Sequence, residues 1–302
     1  MNTTLSSVAL GFFDGLHLGH KKVLMNAMSE RANGLAPGVM LFDRPPFEEL
    51  TGKKVPRLLT DEARDKILTN SGFSLFNVSF SEIRDMSPKA FVRDILADRF
   101  SARSVSCGFN FTFGKNGEGN TKTLISECEK YGISVHIADS VLLNNEVVCS
   151  SAVRRYISDG NMTEADNMLG YTFGFTSPVF HGDRRGRLLG SPTINQYIPK
   201  GLVVPKFGVY ASFVDIDGKL LSGVTNIGKR PTFDGESLRS ETFILGFNGD
   251  LYDKSITVYP IEFIRGEMKF SSADALKEQI SRDESTAAEI TENKQVKLPD
   301  LT

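Results

Sequence analysis

Two histidines flank a glycine at the end of an apolar run, and they are the residues of this chain best suited to chemistry. His17 and His20 stand in the stretch GFFDGLHLGHKKVL, residues 11–24, and the chain contains only four histidines. The run SVALGFF before them predicts a buried strand, and the residues after them have helical spacing. The two imidazoles are therefore predicted to lie at a strand-to-helix turn.

Three interpretations fit such a pair. The histidines could be loop residues with no shared task. They could bind a metal, but HxxH has no third ligand nearby and the pattern HExxH is absent. They could also hold phosphate, because a helix N-terminus offers free N–H groups and a partial positive charge, and imidazole N–H groups can hold phosphates as charge builds on them. Gly11, Gly15 and Gly19 would let the backbone approach closely, which favours the phosphate interpretation.

A second candidate site is HGDRRGRLLGSPTINQYIP, residues 181–199. It could be a solvated basic loop before a strand. As a phosphate loop, its glycines would keep the backbone accessible and its arginines would supply local positive charge. Thr193 and Asn195 alternate along an extended segment, so their two oxygens can face one hard cation such as Mg²⁺, which also accepts water and phosphate oxygens. The glycines and arginines are Gly182, Gly186, Gly190, Arg184, Arg185 and Arg187.

The composition sets limits on the classes of protein to consider. A chain of 302 residues predicts two domains, and a formal net charge of −2 argues against bulk binding to nucleic acid or to an anionic membrane. The three cysteines form no CxxC pair, which favours a reducing compartment. The N-terminus lacks a basic segment, and no apolar stretch approaches the ~18 residues of a membrane span. We expect a soluble, cytoplasmic protein without nucleic-acid or membrane partners, and the oligomeric state is left open.

The elements that must position these residues follow two different patterns. Up to about residue 158, short apolar runs alternate with helical segments, which predicts a parallel sheet with crossover helices. Thr60 and Ser87 are the predicted N-caps of two of these helices.

From about residue 172 the runs are strand-like, which predicts an antiparallel sheet or a small barrel, closed by a helical tail. Asp217-Gly218 and Asn248-Gly249 stand between runs, and both dipeptides favour two-residue hairpins.

Several longer stretches resemble one family. GFFDGLHLGH resembles the GxFDGxHxGH signature of the HxGH nucleotidyltransferases, and the chain from residue 8 to about 283 resembles the prokaryotic bifunctional riboflavin kinase/FAD synthetases. CGFNFTFGKNGEG is similar to their G-x-[ND]-F-x-F-G motif, and CSSAVRRYISDGNMTEADNMLG to their ISSTxIR segment. The basic loop resembles GRxxGxPTAN, GVTNIGKRPTF resembles the flap over the kinase site, and SETFILGF resembles V-E-T-H-x-x-x-F.

For residues 1–160 the resemblance implies a Rossmann-like α/β domain that transfers AMP from ATP to FMN, giving FAD and pyrophosphate. His17 and His20 would stabilise the α-phosphate during direct in-line attack. The implied nucleotide-binding residues are Gly11, Phe12, Asp14, Gly15, Gly19, Ser150, Ser151 and Arg155, and the implied flavin-side residues are Asn110, Phe111 and Phe113.

For residues 161–302 the resemblance implies an antiparallel β-barrel, closed by the terminal helix, that phosphorylates riboflavin to FMN with Mg²⁺ as cofactor and ATP as substrate. Glu241 would be the general base for the riboflavin 5′-hydroxyl. Thr193 and Asn195 would be the metal ligands. The implied nucleotide- and flavin-binding residues are Gly182, Arg187, Gly190, Pro192, Thr193, Asn195 and Asn226.

Three departures from the family pattern leave other interpretations open. Pro45 replaces a histidine, and Ala152 replaces the threonine of ISSTxIR, so the adenylylating half could be weakened or lost. Losing one donor at such a site costs about 10²–10³ in rate. Phe243 replaces the histidine of V-E-T-H, so an enzyme with only the adenylylating activity is a further alternative. A flavin-sensing or nucleic-acid-binding regulator on the same scaffold is the alternative from another class.

Overall fold

The computed structural model describes residues 4–181, 193–232 and 235–301, and the chain forms two compact units. The first unit comprises Met1–Val55, Leu59–Ser150 and Asp300–Thr302, and the second comprises Pro56–Leu58 and Ser151–Pro299. The assignment of one activity to residues 1–160 and the other to residues 161–302 stays a prediction. No helix in the described part of the chain is both long enough and apolar enough to cross a bilayer.

The first unit contains a five-stranded sheet in the order β3-β2-β1-β4-β5, in which every pairing is parallel. Every residue of β1 is buried, as expected for a central strand covered on both faces. This architecture confirms the predicted α/β fold. The strands are β1 (Ser6–Leu10), β2 (Ala36–Phe42), β3 (Ser74–Val78), β4 (Ala102–Gly108) and β5 (Ser134–Ala138).

The helices of this unit begin where the sequence provides caps. The side chain of Thr60 accepts a hydrogen bond from Ala63 N, and that of Ser87 accepts one from Ala90 N, which confirms both predicted caps. The helices are α1 (Leu18–Ser29), α2 (Pro46–Thr51), α3 (Asp61–Asn70), α4 (Phe80–Ile83), α5 (Pro88–Ala90), which continues as π-helical turns over Phe91–Arg99, and α6 (Thr121–Glu129). Single turns of 3₁₀ helix cover Glu30–Asn33 and Lys115–Gly117, and a small hairpin joins β6 (Leu142–Leu143) to β7 (Glu146–Val147).

One face of this sheet packs on a core that contains two of the three cysteines. Cys107 and Cys128 lie among buried side chains that include Phe91, Leu96 and Phe100. Burial raises the pKa of both thiols to about 12, so both stay protonated and unreactive at neutral pH. These cysteines therefore act as core residues.

The second unit is a closed barrel of six strands in the order β10-β11-β12-β9-β8-β13, with antiparallel pairing throughout. The final helix begins after Ser272, whose hydroxyl accepts from Ala275 N, and it packs on the barrel, as predicted. The strands are β8 (Phe175–Phe180), β9 (Thr193–Tyr197), β10 (Gly208–Ile216), β11 (Lys219–Thr232), β12 (Gly235–Ile244) and β13 (Ser255–Arg265), and the helices are α7 (Ser150–Asp159), which begins at the last residue of the first unit's main segment, α8 (Met162–Leu169) and α9 (Ala273–Glu292).

One of the two predicted hairpins is correct and one is wrong. Asp217 and Gly218 join β10 to β11 with φ values of 53° and 86°, the geometry of a two-residue hairpin. Asn248-Gly249 lies instead in a ten-residue connection between Ile244 and Ser255. Strands β12 and β13 do not pair with each other, so no tight turn can join them.

Candidate active sites

The first site lies at the carboxyl edge of the parallel sheet, where the order of the strands changes direction. The chain leaves β1 for β2 on one side, and β4 pairs on the other side of β1. Residues 11–17 follow β1, and Asn110 follows β4, so both reach the same edge. Such a switch point is where open α/β sheets bind ligands.

The turn after β1 is unusually tight. Phe13, Gly15 and Leu16 have positive φ values of 54°, 85° and 44°. For Phe13 and Leu16 this backbone conformation is strained. Both side chains are only about 1% exposed, so their packing in the core stabilises the strained turn. The consequence is an abrupt change of direction that delivers His17 to the start of α1.

His17 and His20 form one stacked pair. His17 is the N-cap of α1, and its Nδ1 accepts a hydrogen bond from His20 N at 3.3 Å. The ring centroids lie 3.7 Å apart with an interplanar angle of 15°. Gly19 permits this arrangement, because a Cβ there would lie 3.2 Å from the His17 ring. Since Nδ1 of His17 accepts, its neutral form carries the proton on Nε2, which can donate to a ligand.

His20 is kept neutral. Its burial, and secondarily the neighbouring His17, hold the pKa of the His20 imidazole well below its usual range. Its Nδ1 is buried and has no hydrogen-bond partner among the described residues. A neutral imidazole at a helix N-terminus can donate one N–H to an anion without first losing a proton, which is the chemistry that phosphate stabilisation requires.

Ser150, the last residue of the first unit's main segment, supports this turn. Ser150 Oγ donates to the carbonyl of Asp14 at 3.0 Å, and Asp14 is itself buried. Ser151 and Arg155 follow on helix α7 with exposed side chains. Ala152 between them is buried, so the threonine of the family pattern would stand at a packed position here.

The three flavin-side residues have different environments. Asn110 is exposed, Phe111 is half-buried and Phe113 is buried in the core of the unit. The two phenylalanine rings stack with centroids 5.7 Å apart. Phe111 is therefore the ring of the pair that a ligand can contact, and Phe113 packs against it from the core of the unit. Pro45 lies at the N-cap position of α2, in the connection that leaves β2.

The second site is built from neighbouring strands of the barrel. Glu241 on β12 pairs directly with Asn195 on β9 and with Asn226 on β11. Residues opposite each other in antiparallel strands share a face, so the three side chains form one row. Residues far apart in the sequence are thereby brought together by strand register.

A second row lies beside the first. Phe243 on β12 pairs with Thr193 on β9 and with Val224 on β11. The alternate residues point into the barrel, where the buried hydroxyls of Thr225 and Thr242 lie 2.9 Å apart. The prediction that Thr193 and Asn195 share a face is therefore confirmed, and Glu241 lies on the outward face of β12.

The polar side chains of these rows make two hydrogen bonds. Arg230 Nε donates to Glu241 Oε1 at 3.1 Å. Asn195 Nδ2 donates to the carbonyl of Thr193 at 3.4 Å, which leaves the amide oxygen of Asn195 to accept or to coordinate elsewhere.

A cavity of about 620 Å³ lies against these rows. It is large enough for a fused-ring ligand. Thr193, Asn226, Arg230 and Glu241 contribute polar groups to it. The apolar part of the lining includes Val209, Val224, Phe243, Phe270, Leu276 and Ile280.

The model of the FAD synthetase family matches residues 1–152, and the model of the riboflavin kinase family matches residues 169–291. The chain is 34% identical to the bifunctional riboflavin kinase/FMN adenylyltransferase of Listeria monocytogenes over 289 residues, which cover 92% of this chain and 90% of that protein.

The chain belongs to the bifunctional riboflavin kinase/FAD synthetase family. A second relative, the bifunctional riboflavin kinase/FMN adenylyltransferase of Bacillus subtilis, is also 34% identical and covers 93% of this chain and 91% of its own length. A crystal structure described as a macrolide-efflux protein from Streptococcus pneumoniae has the same fold, with a TM-score of 0.85 and 30% identity over 98% of this chain and 96% of that one.

The predicted residues of this family divide into three groups in the structure. The first group lies together at the first site and consists of Asp14, His17, Gly19 and His20. The second group lies at the second site, in the two rows that contain Thr193 and Asn195. Gly182, Arg187, Gly190 and Pro192 lie outside the described residues. A further group of residues, at the end of β13 and on α9, was not predicted from the sequence and lines the same cavity.

The missed group is organised around a buried ion pair. Arg265 Nε donates to both carboxylate oxygens of Asp283, at 3.0 and 3.1 Å, and its Nη2 donates to Oδ2 at 2.6 Å. Gln279 adds a donor to Asp283 Oδ1 at 2.8 Å. This network fixes α9 against β13, so that Leu276 and Ile280 reach the cavity. Their four-residue spacing on an amphipathic tail was the available signal.

Proposed function

We propose that this chain makes FMN and then FAD. The barrel unit phosphorylates riboflavin with ATP, and the α/β unit transfers AMP from a second ATP to FMN with release of pyrophosphate. The observation that carries this proposal is the coexistence of two complete, chemically different arrangements. One is the stacked histidine pair at a helix N-terminus, and the other is the row of Asn195, Glu241 and Asn226 beside an apolar cavity.

In the kinase reaction Glu241 is the general base. A primary alcohol is a poor nucleophile unless its proton is removed as the phosphoryl group transfers, and a positioned base contributes about 10²–10⁴-fold. The apolar lining of the cavity suits the isoalloxazine ring, which would leave the ribityl chain to bring its 5′-hydroxyl to Glu241. Asn226 and Asn195 stand on either side of that carboxylate and can orient it and the substrate.

The donor set beside Glu241 suits Mg²⁺. The hydroxyl of Thr193 and the amide oxygen of Asn195 are hard, neutral oxygen ligands on one face of β9. Magnesium binds through few protein ligands when substrate phosphates supply the rest, so Thr193 and Asn195 would hold it. When bound, the ion neutralises charge on the phosphate oxygens during transfer.

In the adenylylation reaction His17 and His20 donate to the α-phosphate as charge develops on it. Both donors are pre-positioned, because the rings stack and His17 is tied to the backbone of His20. Pre-positioned donors of this kind cost no reorganisation at the moment of reaction. We place the flavin beside Asn110 and Phe111, with Phe113 as the support of Phe111. Ser150, Ser151 and Arg155 are proposed to serve the departing pyrophosphate.

We propose a cytoplasmic location for the enzyme, because both reactions consume ATP. FAD is a released product here, and the proposal gives it no redox role in the protein.

A product assay tests the proposal. Purified protein is incubated with riboflavin, ATP and Mg²⁺, and FMN and FAD are separated by chromatography over time. We expect FMN to appear first and FAD to follow. FMN without FAD would show that the first unit has lost its activity, and neither product would refute the proposal.

A further inference from the structure

The carboxylate proposed as the kinase base is already engaged by a cation. Arg230 Nε lies 3.1 Å from Glu241 Oε1, and both side chains line the same cavity. While Oε1 accepts from the guanidinium, one of the two oxygens of this carboxylate is occupied and less available to a substrate hydroxyl. The contact therefore needs a role that is compatible with proton transfer.

The backbone brings Arg230 to Glu241 along one face of β11. Asn226, Gly228 and Arg230 alternate on this face, and Asn226 is the direct cross-strand partner of Glu241. Gly228 has no side chain to separate Arg230 from the row. A Cβ at Gly228 would lie 2.6 Å from Glu267 Oε1, so the space above this glycine is already occupied by another cavity residue.

We propose that Arg230 changes partner during the reaction. Before ATP binds, its guanidinium holds the Glu241 carboxylate. When the γ-phosphate arrives, the guanidinium moves to the phosphoryl oxygens and leaves the carboxylate to accept the riboflavin proton. This inference rests on the proposed role of Glu241 as the base.

The energetics favour the exchange. The Arg230 and Glu241 side chains are 50% and 31% exposed, and solvent weakens an ion pair of this kind, so the pair is easily broken. A γ-phosphate carries more charge than a carboxylate and offers a guanidinium two parallel hydrogen bonds. The other guanidinium that lines the described part of the cavity, Arg265, is held by Asp283 through three contacts and is not free to move.

The step balances without any further reactant. The bond between the riboflavin 5′-oxygen and the γ-phosphorus forms as the bond from that phosphorus to the bridging oxygen breaks, and ADP leaves. The hydroxyl proton passes to Glu241. Arg230 keeps its protons throughout and exchanges only its hydrogen-bond acceptor.

The test is a double-mutant cycle on the full chain, with Arg230→Gln, Glu241→Gln and the combined variant. FMN formation is measured at saturating Mg-ATP, together with the pH dependence of kcat and a riboflavin binding titration. Lys219→Gln is the matched control, because it removes one positive charge from an exposed position at the other end of the same strand.

We expect Arg230→Gln to lower kcat by about 10²–10³, with riboflavin binding little changed. The acid limb of its kcat–pH profile should coincide with that of the wild type, because in the ATP complex the guanidinium has already left Glu241. The losses of the two single variants should multiply in the combined variant. Lys219→Gln should keep the wild-type kcat.

Three results would overturn the inference or its basis, and they are distinguishable. If Arg230→Gln keeps kcat and moves the acid limb of the kcat–pH profile to higher pH, Arg230 is only an ion-pair partner of the base. If the combined variant is no slower than Glu241→Gln, Arg230 acts only through Glu241. If Glu241→Gln itself keeps kcat, the proposed base is wrong whatever Arg230 does.

Discussion

The two candidate sites of this chain are built in opposite ways. At the first, a strained turn of seven residues and the start of one helix place His17 and His20, and the essential contacts are local. At the second, Asn195, Glu241 and Asn226 come from three strands and meet only because the barrel closes in one register. A local site can be recognised from a short motif, whereas a register-dependent site requires the fold. The two sites should also be chemically separate, so that a substitution at one leaves the reaction of the other intact.

The largest effect is expected for Glu241→Gln, which should lower kcat for FMN formation by about 10²–10⁴. Glutamine keeps the acceptor oxygen that faces Arg230 but cannot take the riboflavin proton. Riboflavin binding and the conversion of supplied FMN to FAD should be spared. The measurement is steady-state FMN production beside a binding titration.

Thr193→Ala is the comparison for that variant, since losing a proposed metal-side oxygen should also weaken Mg-ATP binding. Glu241 is not the general base if its glutamine variant retains more than about a tenth of the wild-type kcat.

His20→Ala should lower FAD formation from FMN and ATP by about 10²–10³ while FMN formation from riboflavin continues. The reason is that one of two pre-positioned donors is lost at the helix N-terminus. The control is His136→Ala, which removes a more exposed histidine paired with Glu30 in the same unit. A parallel fall in FMN formation would contradict the separation of the two sites.

Asp166→Asn should change stability without changing either chemistry. Burial raises the pKa of Asp166 to about 7, while its carboxylate accepts from Phe173 N at 2.8 Å and Lys294 and Lys297 oppose the shift only partly. The pKa of an aspartate in the unfolded chain is about 4, so between about pH 4 and about pH 7 the folded state holds a proton that the unfolded state has lost. The free energy of unfolding therefore falls as pH rises from about 4 to about 7.

Asparagine keeps the hydrogen-bond acceptor and removes this pH dependence of the free energy of unfolding. The variant should therefore be more stable than the wild type at about pH 8, by about 2 kcal/mol. Urea unfolding followed by circular dichroism at about pH 5 and about pH 8 measures the difference, with the exposed Asp159→Asn as control. Equal slopes in variant and wild type would show that Asp166 is ionised in the folded protein.

The smallest effect is expected at the two departures in the first site. Pro45→His together with Ala152→Thr should raise the adenylylation rate by up to about tenfold, because each restores a polar donor of the family pattern. Since Ala152 is buried, Ala152→Val is the control for the added bulk without the hydroxyl. An unchanged rate in a folded protein would mean that other groups already make those contacts.

Local features of the fold could be predicted from the sequence, and features that depend on pairing could not. The caps Thr60 and Ser87 and the Asp217-Gly218 turn act through neighbours a few residues away, so their patterns were sufficient. Asn248-Gly249 has the same kind of pattern, but a hairpin requires its two strands to be adjacent, and β12 and β13 are separated in the barrel.

The same distinction holds for the sites. Glu241 was found through its order after the PTIN segment, but its partner Arg230 was not, because the reach of Arg230 depends on Gly228 and on the register of β11. The ion pair of Arg265 and Asp283 was missed for the same reason, since 18 residues separate them in the chain.

The most direct test of the central claim, two separate chemistries on one chain, mixes the two disabled variants. His20→Ala alone should convert riboflavin only to FMN, and Glu241→Gln alone should make almost no product from riboflavin. Together, with ATP and Mg²⁺, they should make FAD after a lag in which FMN accumulates in solution. The account is contradicted if the mixture makes no FAD although each variant still performs its own half-reaction, or if either single substitution abolishes both half-reactions.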